Sequence, residues 1–229
     1  MAENYKGKIK INGKELYEIL SRNLMINQND FTPTFASSLI KTPFSILISI
    51  VLSQNTTDKN AIKAFEMLYN KTKLDPRIII RLGAEKISEI IRPAGLPKQK
   101  TRSIVSLANF IINKGEDYLL KENEMVLKQE LMELPGIGEK TTDVFLSFVR
   151  HYPVFPIDTH IRRISIRWGL ANKNSSYKEI SNKLLEFFTP ELSDKAHRLL
   201  IAFGRSYCKA KKPRCKECFL KEICPSAQI

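Results

Sequence analysis

Leu134-Pro135-Gly136-Ile137-Gly138-Glu139-Lys140-Thr141 joins two amphipathic segments. The first, Met125 to Leu134, must stop before Pro135, because proline disfavours helical geometry in the residue that precedes it. The second starts near Gly138 and runs to Arg150, with Val144, Phe145 and Phe148 on its inward face. Gly136 and Gly138 permit backbone angles and close approaches that a side chain would obstruct. The first N–H groups of the second helix have no partner within it. With the helix dipole they make an anion site. An ordinary helix–helix turn can carry the same glycines, so the motif needs context.

The surrounding chain supplies that context. Helical stripes or boundaries fall at residues 14–27, Pro43–Leu52, Asp58–Asn70, Pro76–Leu82, Ala84–Ile91 and Lys98–Ile112. They continue beyond the glycine turn at Thr159–Trp168, Tyr177–Phe188 and Leu192–Cys208. No long strand pattern, repeat or low-complexity linker interrupts them, which predicts an all-α protein of ten or eleven short helices packed through short loops. Trp168 and most of the 12 Phe belong to the core on this reading.

Lys and Arg total 37 and Asp and Glu 24, a formal net charge of +13. Hydrophobic residues at 43% exclude a disordered chain, and 9 Gly exclude a collagen-like one. The longest apolar stretch, Phe44 to Leu52, is far short of the roughly 20 residues a membrane span needs. The N-terminus is basic without the apolar segment of a secretion signal. The expectation is a cytoplasmic protein with no membrane contact. In so basic a chain, a nucleic-acid phosphate suits the anion site of the hairpin, as a contact that positions a duplex without reading it. Lys98, Lys100 and Arg102 add positive charge after the Gly95-Leu96 turn.

All four cysteines lie near the C-terminus: Cys208, Cys215, Cys218 and Cys224, spaced C-x6-C-x2-C-x5-C. Such closely spaced thiols suit a tetrahedral zinc or an iron–sulfur cluster, and the spacing alone leaves both open. Between the first two lie Lys209, Lys211, Lys212 and Arg214, cations that a metal-pinned loop could hold against phosphates. Asp158, in Pro156-Ile157-Asp158-Thr159-His160, is placed to cap the helix that starts near Thr159. His151, His160 and His197 read as packing or hydrogen-bonding residues.

Taken together, Leu52-Ser53-Gln54-Asn55-Thr56-Thr57-Asp58, Gly95-Leu96, Leu134 to Thr141, Ile157-Asp158-Thr159-His160 and the cysteine tail resemble the endonuclease III family of DNA glycosylases. The resemblance runs from about Phe44 to Cys224. It implies a two-domain helix-hairpin-helix glycosylase fold. A six-helix barrel domain over residues 37–153 is inserted into a second domain made of residues 1–36 and 154–229. The family's cysteine spacing implies a [4Fe–4S] cluster on Cys208, Cys215, Cys218 and Cys224, with zinc the lesser alternative. The implied partner is double-stranded DNA carrying a damaged base or abasic site, bound by a nucleoid-associated monomer.

The resemblance also assigns roles. Lys140 would attack C1′ of a flipped nucleotide, and β-elimination through the Schiff base would nick the strand. A lysine is a nucleophile only as the free amine. The Asp158 carboxylate would stabilise positive charge on the sugar. Gly136 and Gly138 would hold phosphate. Leu96 and the Gln54-Asn55 pair would fill the gap left by the flipped base. Relatives often carry Gln at the Asn55 position, so which of the pair enters stays open. Oxidised pyrimidines are the expected substrates. Mismatched, deaminated or methylated pyrimidines, or a non-catalytic DNA-binding module with a structural metal, are the alternatives. Adenine glycosylases usually lack the lysine and thymine-mismatch glycosylases usually have tyrosine there, so Lys140 counts against both.

Overall fold

A computed structural model describes residues 7–228; the first six residues of the basic N-terminus lie outside the described residues. Twelve helices are formed among the described residues, with no strand. They are α1 (Gly13–Asn23), α2 (Thr32–Leu39), α3 (Pro43–Ser53), α4 (Asp58–Thr72), α5 (Pro76–Ile90) and α6 (Pro97–Lys114). Then come α7 (Tyr118–Lys121), α8 (Glu124–Glu133), α9 (Glu139–Arg150), α10 (Thr159–Arg167), α11 (Tyr177–Phe188) and α12 (Ser193–Ser206). The all-α expectation holds. The two segments read as Pro76–Leu82 and Ala84–Ile91 meet at Gly83, whose φ of 80° and ψ of 160° break α5. Helices α2 and α7 carry no apolar stripe legible in the sequence.

The chain divides into two compact units, Asn27–Arg150 and the described parts of Met1–Ile26 with His151–Ile229. In Asn27–Arg150, α3 is the central element. Every residue from Phe44 to Leu52 is buried, as an all-round apolar helix requires. Thr42 caps it by accepting from the Ser45 N–H, and the Glu116 carboxylate accepts from the Phe44 N–H. Helices α2, α4, α6 and α9 pack around it. The unit begins before the expected residue 37, because α2 packs on α3 and α4. The Thr32 N–H and Oγ1 also donate to Asp58 Oδ1 at 2.9 and 2.8 Å.

One core position breaks the usual rule. Lys100, on α6, is only 1% exposed. Its Nζ donates to Leu52 O at 2.8 Å and Ala94 O at 2.7 Å. Lys100 therefore adds nothing to the basic surface expected after Gly95-Leu96. Burial lowers its ammonium to about 8. The unfolded chain holds this proton up to about 10.4, more tightly than the folded one. Below pH 8 both states carry the charge and the folded protein bears the full cost of burying it. Between about 8 and 10.4 the folded state releases the proton first, so stability gains with pH. Relative to Lys100→Met, the wild-type protein should therefore gain up to about 3 kcal/mol between those pH values, measurable by urea unfolding.

In the other unit, α1 lays Leu16 and Leu20, both fully buried, against α11 and α12. Gly13 makes the approach possible: a Cβ there would stand 1.7 Å from Phe187 O. Trp168 is 1% exposed and its ring lies 5.7 Å from that of Phe203, so it is core as expected.

Candidate active site and cysteine pocket

Helices α8 and α9 form the hairpin, and side chains from three directions fix it. From α8, Lys128 Nζ reaches Asp143 Oδ1 at 2.7 Å and Glu139 Oε1 at 3.3 Å on α9. Burial opposes the Lys128 charge, but the two carboxylates outweigh it and hold the ammonium above its ordinary value. From the end of α3, Gln54 Nε2 donates to Gly136 O at 3.1 Å and Thr141 Oγ1 at 3.0 Å. From α6, Ser103 packs on the glycine turn: a Cβ on Gly136 would meet its Oγ at 2.2 Å. None of these braces is readable from residue types, since each pairs positions far apart in sequence or on different helices.

The two turn glycines serve different ends. Gly136 has a φ of +76° and no room for a side chain. Gly138 has neither constraint, because a Cβ there would meet nothing within 4 Å. Of the two, only Gly136 therefore needs a glycine's backbone angle. What Gly138 leaves is open space at the start of α9. It has no side chain to cap α9, whose first N–H groups find no partner within the helix. Gly136→Ala should therefore cost about 1–3 kcal/mol in thermal unfolding. Gly138→Ala should leave unfolding within about 0.5 kcal/mol yet weaken duplex binding roughly tenfold by titration.

Lys140 is the second residue of α9 and is exposed. The two loops beside the hairpin differ in what they present. Gln54 is half-buried and engaged with the hairpin, whereas Asn55 is exposed at a φ of 51°. Leu96, which precedes α6, is 50% exposed at a φ of 49°. Both tips are left-handed without being glycine, a strain of about 1–2 kcal/mol each.

In the other unit, Asp158 caps α10: Oδ1 accepts from the Ile161 N–H at 2.7 Å. Among the described residues, Asp158 Oδ2 has no hydrogen bond. His160 lies next to it against Gly204 of α12. Burial lowers its imidazole below the ordinary value, opposed by the Asp158 carboxylate and helped by Arg163 and Arg205. A neutral ring fits its contact, with Nδ1 accepting from Arg163 Nη2 at 3.1 Å.

Cys208, Cys215, Cys218 and Cys224 all line one pocket, together with Trp168, Phe203 and Tyr207. All four are free thiols. Arg167 Nη1 donates to Cys208 Sγ at 3.2 Å and the Leu220 N–H to Cys218 Sγ at 3.4 Å. Burial pushes the Cys218 thiol up to about 11, and the other cysteines add to the shift. Among the described residues, no three His, Cys, Asp or Glu side chains converge closely enough to hold one metal ion. Lys209, Lys211, Lys212 and Arg214 are exposed on the loop. Arg214 is partly committed, pairing with Glu217 and lying 5.8 Å from the Tyr207 ring centre.

The braced hairpin and its open glycine turn lie inside a stretch that matches a DNA repair superfamily. Residues 48–190 match the family described as "HhH-GPD superfamily base excision DNA repair protein". Endonuclease III of Sulfolobus acidocaldarius is 35% identical over 92% of this chain and 94% of its own length. A non-covalent endonuclease III–DNA complex matches at 28% identity and a TM-score of 0.75, over 95% of this chain and 97% of that one. A trapped endonuclease III–DNA covalent intermediate matches at 29% identity and a TM-score of 0.73, over 89% and 98%. The chain belongs to the endonuclease III family of this superfamily.

Proposed function

We propose that this protein is a base-excision-repair DNA glycosylase with abasic-site lyase activity, acting on oxidised pyrimidines in duplex DNA. The observation that carries the reading is Lys140: an exposed amine on the first turn of α9, beside the open N–H groups that Gly138 leaves. A phosphate bound at those groups would bring the sugar chain to the amine. A relative trapped as a covalent DNA intermediate supports a covalent route.

The target base is stacked inside the duplex, so its nucleotide must first be extruded. The Lys140 amine, in its free form, then attacks C1′ and the C1′–N bond breaks. The base leaves with the bonding electrons and takes up a proton. Charge that builds on the sugar during this step is stabilised by Asp158, whose Oδ2 stays available while Oδ1 caps α10. Loss of a proton from the amine and ring opening give the Schiff base. Removal of a C2′ proton then expels the 3′ phosphate and nicks the strand. Asn55 and Leu96 are the wedge residues, both exposed and at loop tips. Gln54 acts from behind by holding the hairpin.

The cysteine pocket is the site of a [4Fe–4S] cluster, held by Cys208, Cys215, Cys218 and Cys224. Four cysteines around one pocket, with N–H groups aimed at two of their sulfurs, fit such a centre. When bound there, a cluster would cross-link the loop, and Lys209, Lys211 and Lys212 would meet phosphates with little ordering cost. The protein should bind about four iron and four sulfide per chain and absorb visible light. Cys218→Ala should lose the colour and most of the DNA affinity. A colourless wild-type protein with one zinc would overturn this part.

A duplex panel tests the whole reading. It carries thymine glycol, 5-hydroxycytosine, uracil, a T·G mismatch or an abasic site. Excision of the two oxidised bases with nicking at the abasic site is expected. Excision of uracil or mismatched thymine alone would move the substrate class, and binding without nicking would leave a DNA-binding module.

A further inference from the structure

Among the described residues Lys100 has no carboxylate partner, and it is 1% exposed, yet two backbone carbonyls converge on its Nζ. Its Nζ donates to Leu52 O and Ala94 O, and its own N–H donates to Leu96 O at 3.1 Å. Leu52 lies two residues before Gln54 and three before Asn55. Ala94 lies two residues before Leu96. The two segments come from different parts of the chain: Leu52 stands 48 positions before Lys100 and Ala94 only 6. The Nζ contacts span both.

The choice of a lysine here is costly. A buried ammonium loses its hydration, and Leu or Met would fill the same volume without that loss. Two partial compensations are visible. The Leu52 carbonyl belongs to the last turn of α3, the negative end of that helix. A neutral amine has two N–H donors, which matches the two carbonyl acceptors. Neither explains why two loops must be joined. The strain at their tips does: Asn55 at a φ of 51° and Leu96 at a φ of 49° would relax if their loops were free. Left-handed non-glycine residues persist where the surroundings hold them, and Lys100 is bonded to the backbone just before both.

We propose that Lys100 is a positioning residue that couples the two wedge loops, so that Asn55 and Leu96 enter the duplex as one rigid unit. This rests on the reading that these loops enter DNA. Lys100 itself touches no substrate. Its work is to make insertion of one tip depend on the backbone that carries the other. The expected consequence is specific: cutting the tie harms opening of a paired site, not chemistry on a site already open.

The test uses full-length Lys100→Met, of similar volume but without donors. Ile104→Val, a core truncation on the same helix, controls for general loss of stability. The first readout is fluorescence of 2-aminopurine placed opposite a tetrahydrofuran abasic analogue, at saturating protein, which reports unstacking without any reaction. Wild type and Ile104→Val should raise it severalfold, and Lys100→Met should raise it by less than a third as much. The second is single-turnover nicking of an abasic site in duplex and in single-stranded DNA. Lys100→Met should fall tenfold or more on the duplex and less than threefold on the single strand. Equal losses on both strands, or wild-type fluorescence in Lys100→Met, would overturn the proposal. So would a wild-type protein that causes no fluorescence change. Unstacking without nicking by wild type would defeat the lyase reading while leaving the coupling of the loops standing.

Discussion

A Lys140→Gln protein should bind duplex DNA about as well as wild type and leave no covalent adduct on borohydride treatment. Nicking at an abasic site should fall by at least about a thousandfold, the scale of removing a covalent nucleophile. The fold should be unaffected, because Lys140 is exposed and makes no contact that braces the hairpin. Those contacts belong to Lys128, Gln54 and Ser103. Glutamine keeps a polar side chain of similar length at the start of α9, so a loss of activity with unchanged melting temperature isolates the amine. A variant that still formed a trapped adduct would remove Lys140 from the reaction and shift attention to another amine of the chain.

Asp158 allows a cleaner separation than most carboxylates. Its Oδ1 caps α10, while the chemistry assigned to it needs the negative charge. Asparagine is an equally good cap without that charge. Asp158→Asn should therefore melt within about 0.5 kcal/mol of wild type and excise bases roughly 100- to 1000-fold more slowly, the range found when one electrostatic stabiliser is lost. Asp158→Ala should lose the same activity and about 1 kcal/mol of stability besides. If asparagine restored excision to wild-type rates, capping alone would be the role of Asp158. Single-turnover excision and chemical denaturation on the same two proteins decide it.

Much of this was legible in residue order. Pro43 after Thr42, Asp158 before Thr159 and the stripe of α9 each announce a helix start or face through a local rule. The four cysteines announce a shared site because they lie so close together. What escaped reading depends on distance in sequence or on conformation. Helix α2 is short, and its anchor is the Asp58 carboxylate 26 residues away. Lys100 was read as surface charge because lysine is almost always solvated, and its two carbonyl acceptors come from other segments. Gln54 and Asn55 differ in a way residue order does not show: Asn55 is exposed at φ 51°, while Gln54 bonds the hairpin. Gly136 and Gly138 look alike in sequence and differ only in what surrounds them.

The order of synthesis gives the two units unequal histories. Helix α1 leaves the ribosome before α2 to α12, but its buried leucines, Leu16 and Leu20, pack against α11 and α12, which begin at Tyr177 and Ser193. Asn27–Arg150 is complete well before those partners exist. The inserted unit can therefore fold while the chain is still growing, and α1 must wait for α11 and α12, which are made after that unit. During that interval α1 is an amphipathic helix with an unmet apolar face. Nascent chains halted after residue 150 should already protect α3 from proteolysis while remaining cleavable within α1.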